Sequence, residues 1–236
     1  MNTRVTYTLA DGVATLHMDD GKANAMGIDM LAAINEALDR AEKEAKVVVL
    51  QGRDGVFSAG FDLKVFARGG PDVATMLDAG LRLCARLVGY PLPVLAVCTG
   101  HALALGAILL NCCDARIGTL GASRIQINEV RIGMTLPLSS LEALRRKLAP
   151  AHFQAATTLG IPFTPESALV AGFFEEVVAA DALQATVARW SADLASLDTA
   201  TFTSNKRRVN EATLAAMNAA LEVDVAGLAA TGAARD

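Results

Sequence analysis

The sequence has little that would place the protein on nucleic acid or in a membrane. Its net charge at pH 7 is −4, and the basic run Lys206-Arg207-Arg208 is too short to create a basic field. The longest apolar run, 102–110, is far shorter than the ~20 residues of a membrane-spanning helix. The first residues lead into a strand-like segment without an apolar signal segment. We therefore expect a soluble, cytoplasmic protein with neither nucleic acid nor membrane as a partner.

The sequence also lacks a recognisable metal or disulfide framework. Its four cysteines, at 84, 98, 112 and 113, have a spacing that fits no zinc motif. Adjacent cysteines on a helix suit neither a disulfide network nor a metal site, so buried thiols in a reducing compartment are expected. A chain of 236 residues can bury a substantial core without such cross-links, although much of its 53% hydrophobic content is alanine.

Hydrophobic periodicity predicts an α/β protein that becomes mostly helical after residue 118. Alternating residues on either side of Asp11-Gly12 predict a β-hairpin. Buried strands are predicted at 47–50, 94–98 and 115–118, and helices at 26–45, 71–88 and 103–113. Further helices are predicted at 138–148, 151–159, 165–171, 181–196, 199–209 and 211–226, with one more strand at 174–178. This order favours an α/β core followed by helices. We expect the core to span 1–190 and a C-terminal helical region to span 191–236, with a frayed tail from Ala229.

Two glycine-bearing turns follow predicted buried strands. In the first, Val56-Phe-Ser-Ala-Gly-Phe-Asp-Leu-Lys64, Gly60 permits a positive φ that would turn the N–H of Phe61 outward. In the second, Thr99-Gly-His-Ala-Leu-Ala-Leu-Gly-Ala107, an apolar helix begins whose first N–H groups lack intrahelical partners. The N–H of Leu105 can therefore face an oxyanion. Each turn alone is typical of an ordinary strand-to-helix junction.

Together and in this order, the two turns and the acid-bearing segment after them resemble the crotonase superfamily of enoyl-CoA hydratases and isomerases. The resemblance rests on Lys22-Ala-Asn-Ala25, Phe57-Ser-Ala-Gly-Phe-Asp62, Gly100-His-Ala-Leu-Ala-Leu-Gly106, Asp114 and Asn128-Glu-Val-Arg-Ile-Gly133. It implies a spiral of strand–strand–helix turns with a C-terminal helical region used in assembly, as a homotrimer or hexamer. It also implies a coenzyme A thioester substrate, whose oxygen the amides of Phe61 and Leu105 would hold.

Two departures from the family pattern bear on the reaction. Hydratases carry a Glu at the position of Ile108, and the usual glycine at the position of Leu105 is also missing. The Asn128-Glu129 pair resembles the mitochondrial-type enoyl-CoA isomerases, in which the matching Glu is the sole base. One carboxylate can move a proton between two carbons, whereas activating a water for addition usually takes two acids. The resemblance therefore implies an isomerase with Glu129 as its base and with no metal or redox cofactor.

The expected substrate contacts come from the same motifs. They comprise residues before and within the first turn and the neighbour of the acid: Lys22, Ala23, Ala25, Ser58, Ala59, Gly60, Asp62, Leu63, Lys64 and Asn128. An ammonium group suits phosphate as a point charge, so Lys22, Lys64 and Lys206 are candidates for the phosphates of coenzyme A, with surface lysines as the ordinary alternative.

Some polar residues near these motifs have ordinary structural readings. His101 is expected to be packed or bonded to the backbone rather than catalytic, and Asp62 to begin a helix. Asn128 is as readily a turn residue as a pocket residue.

Three other functions remain open at this point. A hydratase could hold its water with Glu129 and backbone groups alone. A thioester-binding module with little catalysis would use the same turns. Hydrolysis or decarboxylation would use the same oxyanion hole, because one fold supports several reactions.

Overall fold

A β-hairpin opens the larger of two sheets. The computed structural model describes residues 4–233, with side-chain surroundings up to residue 227. Strands β1 (Val5–Ala10) and β2 (Val13–Met18) pair antiparallel, with Val5 opposite Met18 and Ala10 opposite Val13. Asp11 and Gly12 take φ values of 51° and 79°. Positive φ at both central residues is the geometry of a two-residue hairpin turn, so the predicted hairpin is confirmed.

The rest of the larger sheet is parallel, and all of its strands except the edge strand β9 are buried. Its strand order is β1-β2-β3-β5-β7-β9, with β3 (Val47–Gln51), β5 (Val94–Cys98), β7 (Ala115–Thr119) and β9 (Glu176–Val178). The strands predicted near residues 47, 94 and 115 are confirmed, and the one predicted from residue 174 begins at Glu176. Parallel strands covered on both faces appear in a sequence as continuous apolar runs, which made these strands recognisable.

A second, smaller sheet was not predicted. Its three parallel strands are β4 (Gly55–Ser58), β6 (Gly100–Leu103) and β8 (Ile125–Gln126), in the order β4-β6-β8. Gly100 lies opposite Gly55, and a Cβ on Gly100 would come within 1.9 Å of the Gly55 carbonyl carbon, so this close pairing requires glycine. Because β6 occupies residues up to Leu103, the helix predicted at 103–113 begins only at Leu105.

Nine α-helices surround the sheets within the residues that the structure describes. They are α1 (Ile28–Glu44), α2 (Leu63–Arg68), α3 (Pro71–Gly89), α4 (Leu105–Cys112), α5 (Leu138–Arg145), α6 (Pro150–Thr157), α7 (Pro165–Ala171), α8 (Leu183–Ala195) and α9 (Thr199–Ala233). One face of the large sheet packs on α8 through Val187, Trp190 and Leu194, and the other face joins the main core with α1 and α3. The four cysteines are free and buried, as expected.

The C-terminal helix is continuous where two helices were predicted. Asn210 lies at the predicted break, but α9 runs through it and packs on α3 and α5. The Nδ2 of Asn210 donates to the carbonyl of Val88 at 3.2 Å, which ties this part of α9 to α3. Of the tail predicted to fray, 229–233 belong to α9, and 234–236 lie outside the described residues. The division at residue 190 stays a prediction and falls within α8.

No helix within residues 4–233 is both long enough and apolar enough to cross a membrane.

Candidate active site

Three segments leave the small sheet at one edge and meet at a cavity. β4 leads into the turn before α2, β6 into the start of α4, and β8 into a 3-10 helix at Glu129–Ile132. Parallel pairing of the three strands places their carboxyl ends side by side. As a result Phe61, Leu105 and Glu129, which are far apart in sequence, line one cavity.

The first turn is held by backbone and serine hydrogen bonds. Ser58 is fully buried; its Oγ donates to the carbonyl of Asn24 at 2.8 Å and accepts from the N–H of Gly60 at 3.1 Å. The N–H of Met26 donates to the carbonyl of Gly60 at 2.8 Å. The carbonyl of Gly60 and the N–H of Phe61 belong to one trans peptide unit and point in opposite directions, so the N–H of Phe61 faces away from Met26. Ser58 and Gly60 are hydrogen-bonded within the turn and hold its shape, and their contact with substrate stays a prediction.

The second turn contacts the first directly. Ala104 has a φ of 48°, and α4 begins at the next residue, Leu105, whose N–H is one of the first-turn amides without an intrahelical acceptor. A Cβ on Gly60, whose φ is 90°, would lie 2.8 Å from Ala104 Cβ and 3.2 Å from the Leu105 nitrogen. Because glycine is present at 60, the amides of residues 61 and 105 can approach each other.

The acid-bearing segment is tied to the same sheet. The N–H of Ala104 donates to the carbonyl of Gln126 at 2.9 Å, which joins the second turn to β8. The side chains of Gln126 and Arg131 both donate to the carbonyl of Gly160 at 2.7 Å. These bonds flank Glu129 on both sides, so the backbone that carries its side chain is fixed.

Glu129 is a buried acid with an unusual pKa. Its exposed fraction is 8%, and its Oε2 has no hydrogen-bond partner. Burial raises its pKa from 4.5 to about 7, partly offset by a hydrogen bond from its own backbone N–H. A carboxyl group with such a pKa can both accept and release a proton near neutrality.

The cavity of about 110 Å³ is mostly apolar. Ile108 lines it, so the position that matches a second acid in hydratases faces the same space as Glu129. Glu129 is the one carboxylate among the described residues of its wall. The wall consists of Ala59, Phe61, Leu63, Phe66, Leu77, Leu81, Ala104, Leu105, Ile108, Asn128, Glu129, Ile132, Met134, Thr135, Pro137 and Ser140.

Sequence reasoning missed the contribution of α3 and α5 to this wall. Leu77 and Leu81 on α3 carry no motif, and only packing determines which face of that helix meets the cavity. Ser140 on α5 is equally unmarked in sequence. Asp224 of α9 accepts from the N–H groups of Leu138 and Ser139 at 2.8 Å each, so the first turn of α5 is anchored beside the cavity.

The other predicted binding residues lie outside the cavity. Lys22, Ala23, Ala25, Asp62 and Lys64 line a separate, more polar groove. A third depression holds Lys22, Ala23 and Ala59, and Ala59 also lines the cavity.

The structural roles predicted for Asp62 and His101 agree with the hydrogen bonds in the structure. Asp62 begins α2 by accepting from the N–H of Lys64 at 2.9 Å, and His101 accepts from the N–H of Arg124 at 3.0 Å.

Lys206 is not available to a phosphate, contrary to expectation. Its exposed fraction is 7%, and its Nζ lies 2.6 Å from Asp114 Oδ2. Burial lowers the pKa of Lys206, and the Asp114 carboxylate works against that shift. The lysine therefore joins α9 to the start of β7. The basic run that it forms with Arg207 and Arg208 gives no indication of this structural role.

Comparisons with known proteins point to one family. The model of the family described as enoyl-CoA hydratase/isomerase matches residues 8–236. Among curated proteins, the chain is similar to a probable enoyl-CoA hydratase of Bacillus subtilis, with 29% identity over 164 residues, 68% of this chain and 63% of that protein. It is also similar to the mitochondrial enoyl-CoA delta isomerase 1 of Homo sapiens, with 27% identity over 190 residues, 77% of this chain and 63% of that protein. The match thus spans less than two thirds of each relative.

A solved structure matches over nearly the full length of both chains. The apo structure of an enoyl-CoA isomerase from Mycobacterium tuberculosis has a TM-score of 0.90 and 38% sequence identity, and covers 96% of this chain and 99% of that chain. Together with the family match, this likeness confirms the predicted crotonase-like fold with its C-terminal helical region. The relatives bear the names of both hydratases and isomerases.

Proposed function

Because the chain belongs to the enoyl-CoA hydratase/isomerase family, we propose that it is an enoyl-CoA isomerase that converts 3-enoyl-CoA thioesters to the trans-2-enoyl form. The observation that carries this proposal is the cavity wall, where Glu129 is the sole carboxylate among the described residues and Ile108 takes the place of a second acid. Moving a double bond needs one group that carries a proton. Adding water needs a group that activates the water and another that delivers a proton to carbon.

Glu129 performs both proton transfers in this proposal. Its ionised carboxylate takes a proton from C2, and the electrons of that bond form a C1–C2 double bond while the carbonyl electrons move onto the thioester oxygen. The protonated Glu129 then gives the proton to C4: the C3–C4 double-bond electrons bind it, the C1–C2 pair becomes the C2–C3 double bond, and the carbonyl re-forms. A pKa of about 7 suits this task, since a general acid–base works best when its pKa lies near the operating pH.

The two turns stabilise the intermediate. Removal of the C2 proton places negative charge on the thioester oxygen, as a dienolate. The N–H groups of Phe61 and Leu105 donate to that oxygen, and each such donor contributes about 3 kcal/mol in related acyl chemistry. A leucine at position 105 keeps the N–H and only fills space that glycine would leave open.

The polar groove beside the cavity suits the coenzyme A portion of the substrate. Lys22 and Lys64 line this groove and would meet the phosphates as cations. Ala23, Ala25 and Asp62 would form its floor and edge. Assembly into a trimer or hexamer and a cytoplasmic location stay predictions.

A hydratase is the second candidate. It is favoured by two polar atoms without partners in the cavity, Asn128 Oδ1 and Ser140 Oγ, which together with Glu129 could hold a water. A non-catalytic thioester-binding module is a third, from another class, and hydrolysis or decarboxylation would use the same oxyanion hole.

One experiment separates these functions. The purified protein is incubated with 3-hexenoyl-CoA and, separately, with crotonyl-CoA, and the products are followed by mass spectrometry and NMR. We expect 3-hexenoyl-CoA to become trans-2-hexenoyl-CoA without a change of mass, and crotonyl-CoA to gain water slowly or not at all. Fast hydration of crotonyl-CoA would identify a hydratase. Retention on coenzyme A resin without any conversion would identify a binding module.

A further inference from the structure

Ser140, which lines the cavity from α5, has a buried hydroxyl without a hydrogen-bond partner. Ser140 is the third residue of α5, its exposed fraction is 0%, and its Oγ has no hydrogen-bond partner within the described structure. Buried hydroxyl groups are nearly always hydrogen-bonded, because an unpaired one loses its bonds to water without replacement. A group that belongs to the bound ligand can supply the missing bond.

A second unpaired atom lines the same cavity. Asn128 Oδ1 is buried without a partner, next to Glu129 in the chain. Apart from these two side chains, Glu129 and Thr135, the wall is apolar. The cavity thus offers a hydroxyl, which donates and accepts, and a carbonyl oxygen, which accepts.

The charges around the cavity exclude an anionic ligand group. No lysine, arginine or histidine occurs among the described residues of the wall. Glu129 supplies negative charge inside the cavity, and Asp224 supplies it behind the first turn of α5. A second carboxylate there would be buried without a partner, which is costly. A neutral hydroxyl can accept from Ser140 and donate to Asn128.

We propose that Ser140, together with Asn128, is a specificity residue that recognises a hydroxyl on a short acyl chain. This inference rests on the proposed function, because the acyl group enters the cavity as a thioester. The reacting carbons must lie against Glu129 and the two amides, whereas Ser140 belongs to the separate α5 wall, so the hydroxyl is on a carbon that does not react. A cavity of about 110 Å³, at roughly 10–15 Å³ for each enclosed water, has room for a short acyl chain.

The test compares two saturated thioesters that differ in one group. Hexanoyl-CoA and 5-hydroxypentanoyl-CoA have the same number of heavy atoms, with a methyl in one where the other has a hydroxyl, and neither has a double bond to move. Calorimetric titration gives the Kd of each for the wild type. We expect 5-hydroxypentanoyl-CoA to bind roughly tenfold more tightly, since a site built for a hydroxyl leaves its polar groups unpaired with the methyl analogue.

Two serine variants assign the preference to one hydroxyl. Ser140→Ala should remove the preference, so that the two Kd values become equal. Ser139→Ala is the matched control, because Ser139 is also buried with an unpaired hydroxyl but lies outside the wall of the cavity, and the preference should persist. Thermal unfolding of both variants checks that they fold, and Ser140→Cys replaces Ser140→Ala if the latter does not.

The outcomes are distinct. Equal Kd values in the wild type, or a preference that survives in Ser140→Ala, would overturn the inference while leaving the proposed isomerase intact. If neither thioester binds, the proposed function fails and this inference fails with it.

Discussion

The two sheets of this protein contribute differently to folding and to chemistry. The six-stranded sheet buries long apolar strands on both faces, and none of the three central site residues follows one of its strands. The three-stranded sheet has strands of two to four residues, yet its carboxyl ends deliver Phe61, Leu105 and Glu129 to one cavity. The large sheet thus contributes to the core on both of its faces, and the small one sets the geometry of the site.

At the ends of the small sheet's strands, residues that act through their backbone tolerate substitution better than residues that act through their side chain. The site uses only the N–H groups at positions 61 and 105, so a leucine can replace a glycine at 105 without removing the donor. At position 129 the chemistry depends on the carboxyl group itself. Substitutions at the ends of β4 and β8 should therefore affect activity far more than equivalent changes in the large sheet.

The largest effect is expected for Glu129→Gln. The amide keeps the shape of the side chain but cannot take a proton, so kcat should fall on the order of 10⁴-fold while the Kd of a saturated acyl-CoA stays nearly unchanged. Wild-type kcat/KM should rise with pH and reach half its maximum near pH 7, where Glu129 ionises. Steady-state kinetics across pH 5–9 measure both.

A surface acid provides the control for that variant. Glu142 pairs with Arg145 at 3.7 Å on the exposed side of α5, so Glu142→Gln should leave kcat unchanged. Normal turnover by Glu129→Gln would contradict the single-base mechanism.

Gly60→Ala should have the next largest effect. The new methyl group would meet Ala104 Cβ at 2.8 Å and push the Leu105 amide out of place, lowering kcat roughly 10²-fold. Gly12→Ala in the hairpin of the large sheet is the matched control: its φ of +79° is similar to the +90° of Gly60, but its nearest contact is Lys46 Cγ at an ordinary 3.5 Å.

Both glycine variants should lose about 1 kcal/mol of folding stability from the positive φ, measured by denaturant unfolding. Only Gly60→Ala should lose activity. Equal kinetic losses in the two variants would show that backbone strain, rather than contact between the two turns, controls the site.

The last effect concerns stability rather than activity, and its sign is opposite to that of the kinetic loss. Glu129 has a folded pKa of about 7 against 4.5 in its ordinary state, so its ionisation is easier in the unfolded chain. Protonated Glu129 makes its full contribution to folding stability below pH 4.5. This contribution declines as the pH rises and is lost above about pH 7. Glu129→Gln should therefore be more stable than the wild type by roughly 3 kcal/mol at pH 8, with no difference near pH 4.

Urea unfolding at the two pH values measures this change. A constant difference between pH 4 and pH 8 would mean that burial of Glu129 does not oppose its ionisation.

Much of the large sheet could be predicted from sequence, whereas the small sheet could not. Runs such as Val47–Leu50 and the Asp11-Gly12 turn act locally, so the sequence pattern shows them. By contrast, β8 has two residues, and β6 merges in sequence with the apolar start of α4. Such strands form only because their partners are present, as the approach of Gly100 to Gly55 shows.

The site residues that belong to sequence motifs could be predicted. Those that reach the cavity only through the packing of a helix could not. Glu129, Phe61, Leu105 and Ile108 came from the order of three motifs. Ser140 could not be recognised, because its place in the wall depends on how α5 packs. Lys206 was misjudged because a basic run gives no sign that one member is buried against Asp114.

The buried carboxylate of Asp224 affects the order in which parts of the protein fold. It accepts from the N–H of Leu138, a residue 86 positions earlier, and from that of Ser139. During synthesis on the ribosome, the first turn of α5 therefore gains its capping hydrogen bonds only after α9 has been made. The cavity wall that carries Ser140 accordingly folds late. Any shortened version of the protein intended to keep the cavity must retain α9 through Asp224.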